Sequence, residues 1–232
     1  MKDKTNYKNI GLGIISIFLY FFIQYHATDL FTALHIDFYS ISYPIRIIYT
    51  LIVDITIISL LFLLNYKTIE QNFVDLKKNH YQYFSSCIKY WLISILIMMI
   101  SNVMIMMFFN GGIAGNEDTI RTLLKESPIF VYISAVFFAP IIEELVFRQS
   151  FRNIFKNNYV FIIISALIFG GLHVIGNISS PVDLLYLIPY CSPGIAFAYM
   201  LVKTKNIFVS MGFHLMHNGI LVSLQILLLL IG

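Results

Sequence analysis

An all-α fold, a polytopic bundle of transmembrane helices, is the class this sequence predicts, and three observations carry it. Hydrophobic residues make up 59% of the 232 and charged residues only 12%, about half of the roughly 25% charged in a soluble domain. The mean hydropathy is +0.81. Apolar runs near the roughly 20 residues that cross a bilayer as a helix recur along the chain, at about 9–27, 44–65, 87–109, 128–155, 158–176, 182–202 and 206–230.

Taken in order, the first run follows Lys2, Lys4 and Lys8. It resembles a signal peptide, but no small-x-small cleavage site follows and more spans come later, so it reads as a retained first span. The second carries Asp54 midway, in Ile52-Val53-Asp54-Ile55. An acid at that depth is a functional candidate by default; with no motif around it, bundle stabilisation is the expectation. The polar stretches 66–86 and 110–127 read as loops, with an interfacial helix as the alternative. Span four contains Pro140, which removes one backbone hydrogen bond and can kink the helix. It continues past Arg148, because Gln149 to Phe155 holds no breaker, and turns at Lys156-Asn157-Asn158. In span five, Gly170 and Gly171 let a neighbouring helix come close. Span six holds Pro189 and Pro193 with Ser192 and Gly194, the composition of a kinked or broken helix. The last run is too short to cross twice, although a break near Gly219 would divide it and give eight spans in place of seven. The chain is one integral membrane domain, 1–232, with its chemistry expected in 128–230.

Basic residues fall on one side if every span crosses. Lys2, Lys4 and Lys8, then Lys67, Lys77 and Lys78, then Arg152 and Lys156, then Lys203 and Lys205 share it, whereas Asp29, Asp37 and Asp183 lie on the other. Excess Lys and Arg marks the cytoplasmic face, so the N-terminus is expected inside a plasma membrane. The abundant Ile, Asn, Lys, Tyr and Phe suggest an AT-rich, bacterial gene. Net charge is only +3 without a basic block, and nucleic-acid binding has no support. Cys87 and Cys191 have no metal-ligand spacing and read as small hydrophobes.

Against this apolar background, Glu143, Glu144 and Arg148 stand within six residues at the end of Phe137-Phe138-Ala139-Pro140-Ile141-Ile142. Charge at bilayer depth costs roughly 3 kcal/mol per group on insertion scales. Counting from the turn after span four at 1.5 Å per residue puts Glu143 and Glu144 roughly 19 Å up the helix and His173 roughly 23 Å up span five. His214, His217 and Asn218 on the last span reach roughly 13–19 Å. Glu, His, His and Asn from three helices therefore share one layer. Glu144 and Arg148 are i and i+4 with the acid first, the better order for a helical pair. Glu143 points about 100° away from Glu144, which leaves it free to face a cavity. His214 and Asn218 are again i and i+4. Such a set supports hydrolysis: a carboxylate takes a proton from water, imidazoles orient it, and an amide stabilises an oxyanion. Glu143, His173 and His214 would also make a sound zinc site with a position open to water.

Three patterns, Glu143-Glu144-x-x-x-Arg148, Phe169-x-x-x-His173 and His214-x-x-x-Asn218, in this order, resemble the signatures of the CAAX-protease and bacteriocin-processing intramembrane proteases. This group is also known as the CAAX prenyl protease 2/lysostaphin-resistance-protein-A-like or Abi family. The resemblance spans Glu143 to Asn218. It implies an intramembrane endopeptidase acting on a membrane-associated peptide or protein, in peptide maturation or bacteriocin self-immunity. Glu143 would be the catalytic glutamate, His173 and His214 catalytic or metal-binding, and Asn218 the oxyanion donor, with Glu144 and Arg148 as the supporting pair. Zinc-dependent and metal-free glutamate mechanisms both stay open. His217 fits no signature and reads as structural or supporting, and Phe169 as packing. The rival classes are a proton-coupled transporter, for which an inverted repeat would speak and none is visible, and a non-catalytic immunity or binding protein.

Overall fold

A computed structural model describes residues 2–109 and 111–231, without the side chains of residues 2–6. The side chains of Lys2 and Lys4, residue 110 at the start of the polar stretch 110–127, and both extreme ends of the single domain 1–232 thus lie outside the described residues. Among the described residues the chain is helical and holds no strand. The helices are α1 (Lys2–His26), a short α2 (Asp29–Ala33), α3 (Tyr43–Leu64), α4 (Tyr66–Phe109), α5 (Gly115–Glu126), α6 (Pro128–Ile154), α7 (Asn158–Val174), α8 (Leu187–Thr204) and α9 (Ile207–Ile231). Seven helical segments are long and apolar enough to span a bilayer, and the chain is an integral, multi-pass membrane protein.

Of the two stretches read as loops, the first is corrected and the second takes its helical alternative. The stretch 66–86 is neither a loop nor a separate interfacial helix but the first half of α4, continuous with span three. Its polar residues are used there: Asn206 Nδ2 donates to the Asn72 carbonyl (2.7 Å) and to Asp75 Oδ2 (2.9 Å), and the Ile207 amide donates to Asn72 Oδ1 (2.7 Å). Asn72 thus satisfies a free amide at the start of α9, a need that every helix start has. Most of the stretch 110–127 is the amphipathic α5. No break occurs at Gly219, because α9 runs through it. Pro193 lies inside a continuous α8, so span six is not broken there.

Span four departs from regular α geometry. It is π-helical over Ser134–Phe138 and Glu144–Ser150, on either side of Ala139–Glu143. Widened turns of this kind are frequent at functional sites. In the first of them the Ala139 amide reaches back to the Ser134 carbonyl. The next rung would run from residue 140 to the Ala135 carbonyl, but Pro140 has no N–H. Asn218 Nδ2 on α9 donates to that carbonyl instead (2.8 Å). Ser165 Oγ on α7 donates to the Phe147 carbonyl in the second π turn (2.7 Å). The irregular backbone of α6 is thus latched by side chains of two neighbouring helices, α7 and α9.

Packing of α7 on α8 depends on small residues. A Cβ on Gly170 would sit 2.5 Å from Cys191 Sγ and 3.1 Å from its backbone nitrogen, whereas one on Gly171 would meet only Ile175 Cδ1 at 3.4 Å. Overpacking of a tight contact costs about 1–3 kcal/mol. Gly170→Ala is therefore expected to lower the unfolding temperature of the detergent-solubilised protein by several degrees, and Gly171→Ala to leave it unchanged or higher. Equal melting curves for the two variants would contradict this account of the α7–α8 contact.

Candidate active site

A cavity of about 790 Å³ lies between α4, α5, α6, α7, α8 and α9, with Glu143, His173, His214, His217 and Asn218 in its wall. Its polar rim is at the end of the bundle that holds α5, where Gln225 Nε2 and Arg121 Nε both donate to Glu117 Oε1 (2.6 and 2.9 Å). The opposite end carries the turn at Lys205–Asn206, joined to the start of α4, and there Lys203 Nζ donates to the Ser86 carbonyl (3.0 Å).

Glu143 and Glu144 diverge as their adjacent positions on a helix require. The Glu143 side chain is 19% exposed, and Oε2 lies 3.6 Å from His214 Nε2. Glu144 is fully buried; its Oε1 accepts from His214 Nδ1 (3.0 Å) and lies 3.4 Å from Arg148 Nε. Arg148 is also fully buried, its guanidinium carbon 4.2 Å from the ring centre of Phe169 and 5.8 Å from that of Phe197. The i, i+4 ion pair is therefore present, and it is sealed from water by two aromatic faces. Phe169 does more than pack, because its ring covers the arginine and its carbonyl accepts from His173 Nδ1 (2.8 Å).

These hydrogen bonds assign the protons on two rings. Glu144 and the Phe169 carbonyl are acceptors only, so Nδ1 of His214 and of His173 carries hydrogen. The Nε2 lone pair of neutral His214 then faces the Glu143 carboxylate. Two electron-rich atoms facing each other need a proton or a cation to join them. Two ligands about 2.1 Å from a tetrahedral zinc are about 3.4 Å apart, so the Glu143–His214 pair matches such an ion in spacing. A buried partner on the far nitrogen is also what metal-binding histidines usually have. His173 does not join that pair: among the described residues no three His, Cys, Asp or Glu side chains are grouped so as to hold a metal.

Asn218 lines the cavity but spends one amide hydrogen on the Ala135 carbonyl, leaving the second for a ligand. Asp54 is buried on α3 and is not part of the cavity wall. The sequence reading missed two aromatic partners on α8. Tyr190 stacks on His173 (ring centres 5.0 Å apart), and Phe197 stacks on His214 (4.7 Å). Tyr190, Pro193 and Phe197 all line the cavity, and their spacing of three and four residues marks one helix face. That signal was present in the sequence, within a stretch read only for its helix-kinking residues Pro189, Ser192, Pro193 and Gly194.

Residues 125–220 match the family model described as type II CAAX prenyl endopeptidase, Rce1-like. Among curated proteins the chain is similar to the putative membrane peptidase YdiL of Bacillus subtilis (strain 168), with 31% identity over 51% of this chain and 52% of that protein. It is also similar to the membrane-embedded CAAX protease MroQ of Staphylococcus aureus (strain USA300), with 28% identity over 59% and 55% respectively. A third relative is the UPF0177 protein YvdC of Lactococcus lactis subsp. lactis (strain IL1403), 31% identical over 47% and 41%. The chain spans about half the length of the curated relatives it matches. No solved structure matches it.

Proposed function

We propose, from the premise that the chain belongs through residues 125–220 to the Rce1-like CAAX protease family, that it is an intramembrane endopeptidase in which Glu143 activates the attacking water. The observation that carries this reading is the line of groups Glu143–His214–Glu144–Arg148, reaching from the cavity into a dry interior. Glu143 takes a proton from water, and the water oxygen bonds to the carbonyl carbon of the substrate. The carbonyl π electrons move to its oxygen. His214 shares the proton through Nε2, and the imidazolium so formed is stabilised by Glu144. Collapse of the tetrahedral intermediate breaks the C–N bond, and the proton passes to the leaving amine. Zinc, when bound, would be held by Glu143 and His214, the pair whose spacing suits it, and would polarise the carbonyl. The apolar cavity fits a peptide or protein segment that arrives from the bilayer, and its cleavage would serve peptide maturation or bacteriocin self-immunity. Comparing the peptides released from wild-type and Glu143→Gln membranes tests the reading. Peptides that appear only with the wild type support it, and identical peptidomes would remove it.

The same proposal includes a direction. With Lys and Arg on the cytoplasmic side, the α5 end of the cavity faces outward. In a background with Cys87 and Cys191 replaced by Ala, Asp118→Cys is expected to react with a membrane-impermeant maleimide on intact cells. Lys78→Cys, also exposed, should react only after the cells are opened. The reverse pattern would turn the site toward the cytoplasm.

A further inference from the structure

His217 lies one helical turn beyond His214 on α9 and lines the same cavity, yet the mechanism above leaves it unused. It is 6% exposed, and its Nδ1 is buried with no hydrogen-bond partner. The ring meets Phe197 edge to face at 6.0 Å. An orphaned N–H in a dry interior is rarer and costlier than an orphaned lone pair. The proton of a neutral His217 therefore belongs on Nε2, the nitrogen that is not sealed in. Residues i and i+3 on a helix have Cβ atoms about 5–6 Å apart, so a scissile carbonyl held against Glu143 and His214 comes within reach of that N–H. Asn218, the other donor on this face, spends one amide hydrogen on the Ala135 carbonyl and keeps a single one for a ligand, so His217 would be a second donor beside it.

The geometry points to His217 as a catalytic residue that acts as an oxyanion donor: its Nε2–H hydrogen-bonds to the substrate oxygen as the C–O bond to water forms and the π electrons move onto that oxygen. No proton is transferred from His217; the proton of the water goes to Glu143. The inference rests on the peptidase reading.

The test uses the full chain in detergent and an internally quenched peptide copied from a sequence that wild-type membranes release and Glu143→Gln membranes do not. His217→Phe and His217→Leu remove the donor and keep an apolar side chain. Loss of one oxyanion donor typically costs 10²–10³ in kcat. Both variants are expected to lose about 100-fold in kcat, with KM within threefold and melting temperature unchanged. His217→Gln still offers an N–H and should keep kcat within about tenfold of the wild type with the same pH profile. If one apolar variant fails to fold, the other and the glutamine variant decide. Wild-type kcat in the apolar variants, or equal loss in the glutamine variant, would overturn the donor role and leave the peptidase reading intact. If the wild type cleaves no peptide, both fall together.

Discussion

Glu143→Gln is expected to lower peptide cleavage by about 10²–10⁴-fold, the range a positioned general base contributes, with little change in folding. The substitution keeps the size of the side chain and removes only the group that accepts the proton. Glu143 reaches the cavity and takes part in one close polar contact, with His214, so its loss leaves no buried charge without a partner. His214→Ala should be equally inactive, because the Glu143 proton then has no second site and Glu144 loses its hydrogen bond. The two defects should not add, since groups that act as a unit are strongly non-additive. Turnover of the quenched peptide by each single variant and by the double variant measures this. A double variant 10²-fold slower than either single one would mean that the two residues act in separate steps.

How much of this was legible in the sequence depends on the kind of contact. The layer holding Glu143, His173, His214 and Asn218 was accessible because helix rise converts residue count into depth, and the turn at Asn157 supplied the origin. Span limits were accessible for the same reason, as apolar length is what a bilayer selects. The 3.6-residue period also separated the roles of Glu143 and Glu144. It failed where the helix is not regular, since the π turns around Pro140 and Phe147 have carbonyls taken up by Asn218 and Ser165 of other helices, contacts that no local period encodes. The contact between Glu144 and His214 was missed because Arg148 already explained the acid. A carboxylate has two oxygens and several lone pairs, and one partner in the sequence does not exhaust them. The first half of α4 was misread because a charged, Asn-rich stretch looks like a loop until the turn it caps, at Asn206, is known.

The largest effect on stability is expected at Glu144. Glu144→Ala would strand the Arg148 charge between Phe169 and Phe197, with no carboxylate beside it and no route to solvent. Removing one partner of a buried ion pair costs about 3–5 kcal/mol, a large part of the roughly 5–15 kcal/mol that holds a protein folded. For a chain of this length that corresponds to a drop in melting temperature on the order of 10 °C. Arg148→Met should be milder, because His214 still donates to Glu144 and satisfies part of its charge. Replacing the whole pair by apolar groups, Glu144→Leu with Arg148→Met, removes both desolvation costs and is expected to recover most of the lost stability. It should not recover cleavage, since His214 Nδ1 then has no acceptor to hold its ring toward Glu143. Thermal unfolding in detergent and peptide turnover, measured on the same four proteins, separate the two roles of the pair. A double variant that is both stable and active would mean that Glu144 serves only to neutralise the arginine. A double variant that is stable and inactive makes the buried glutamate the group that sets the tautomer and aim of His214.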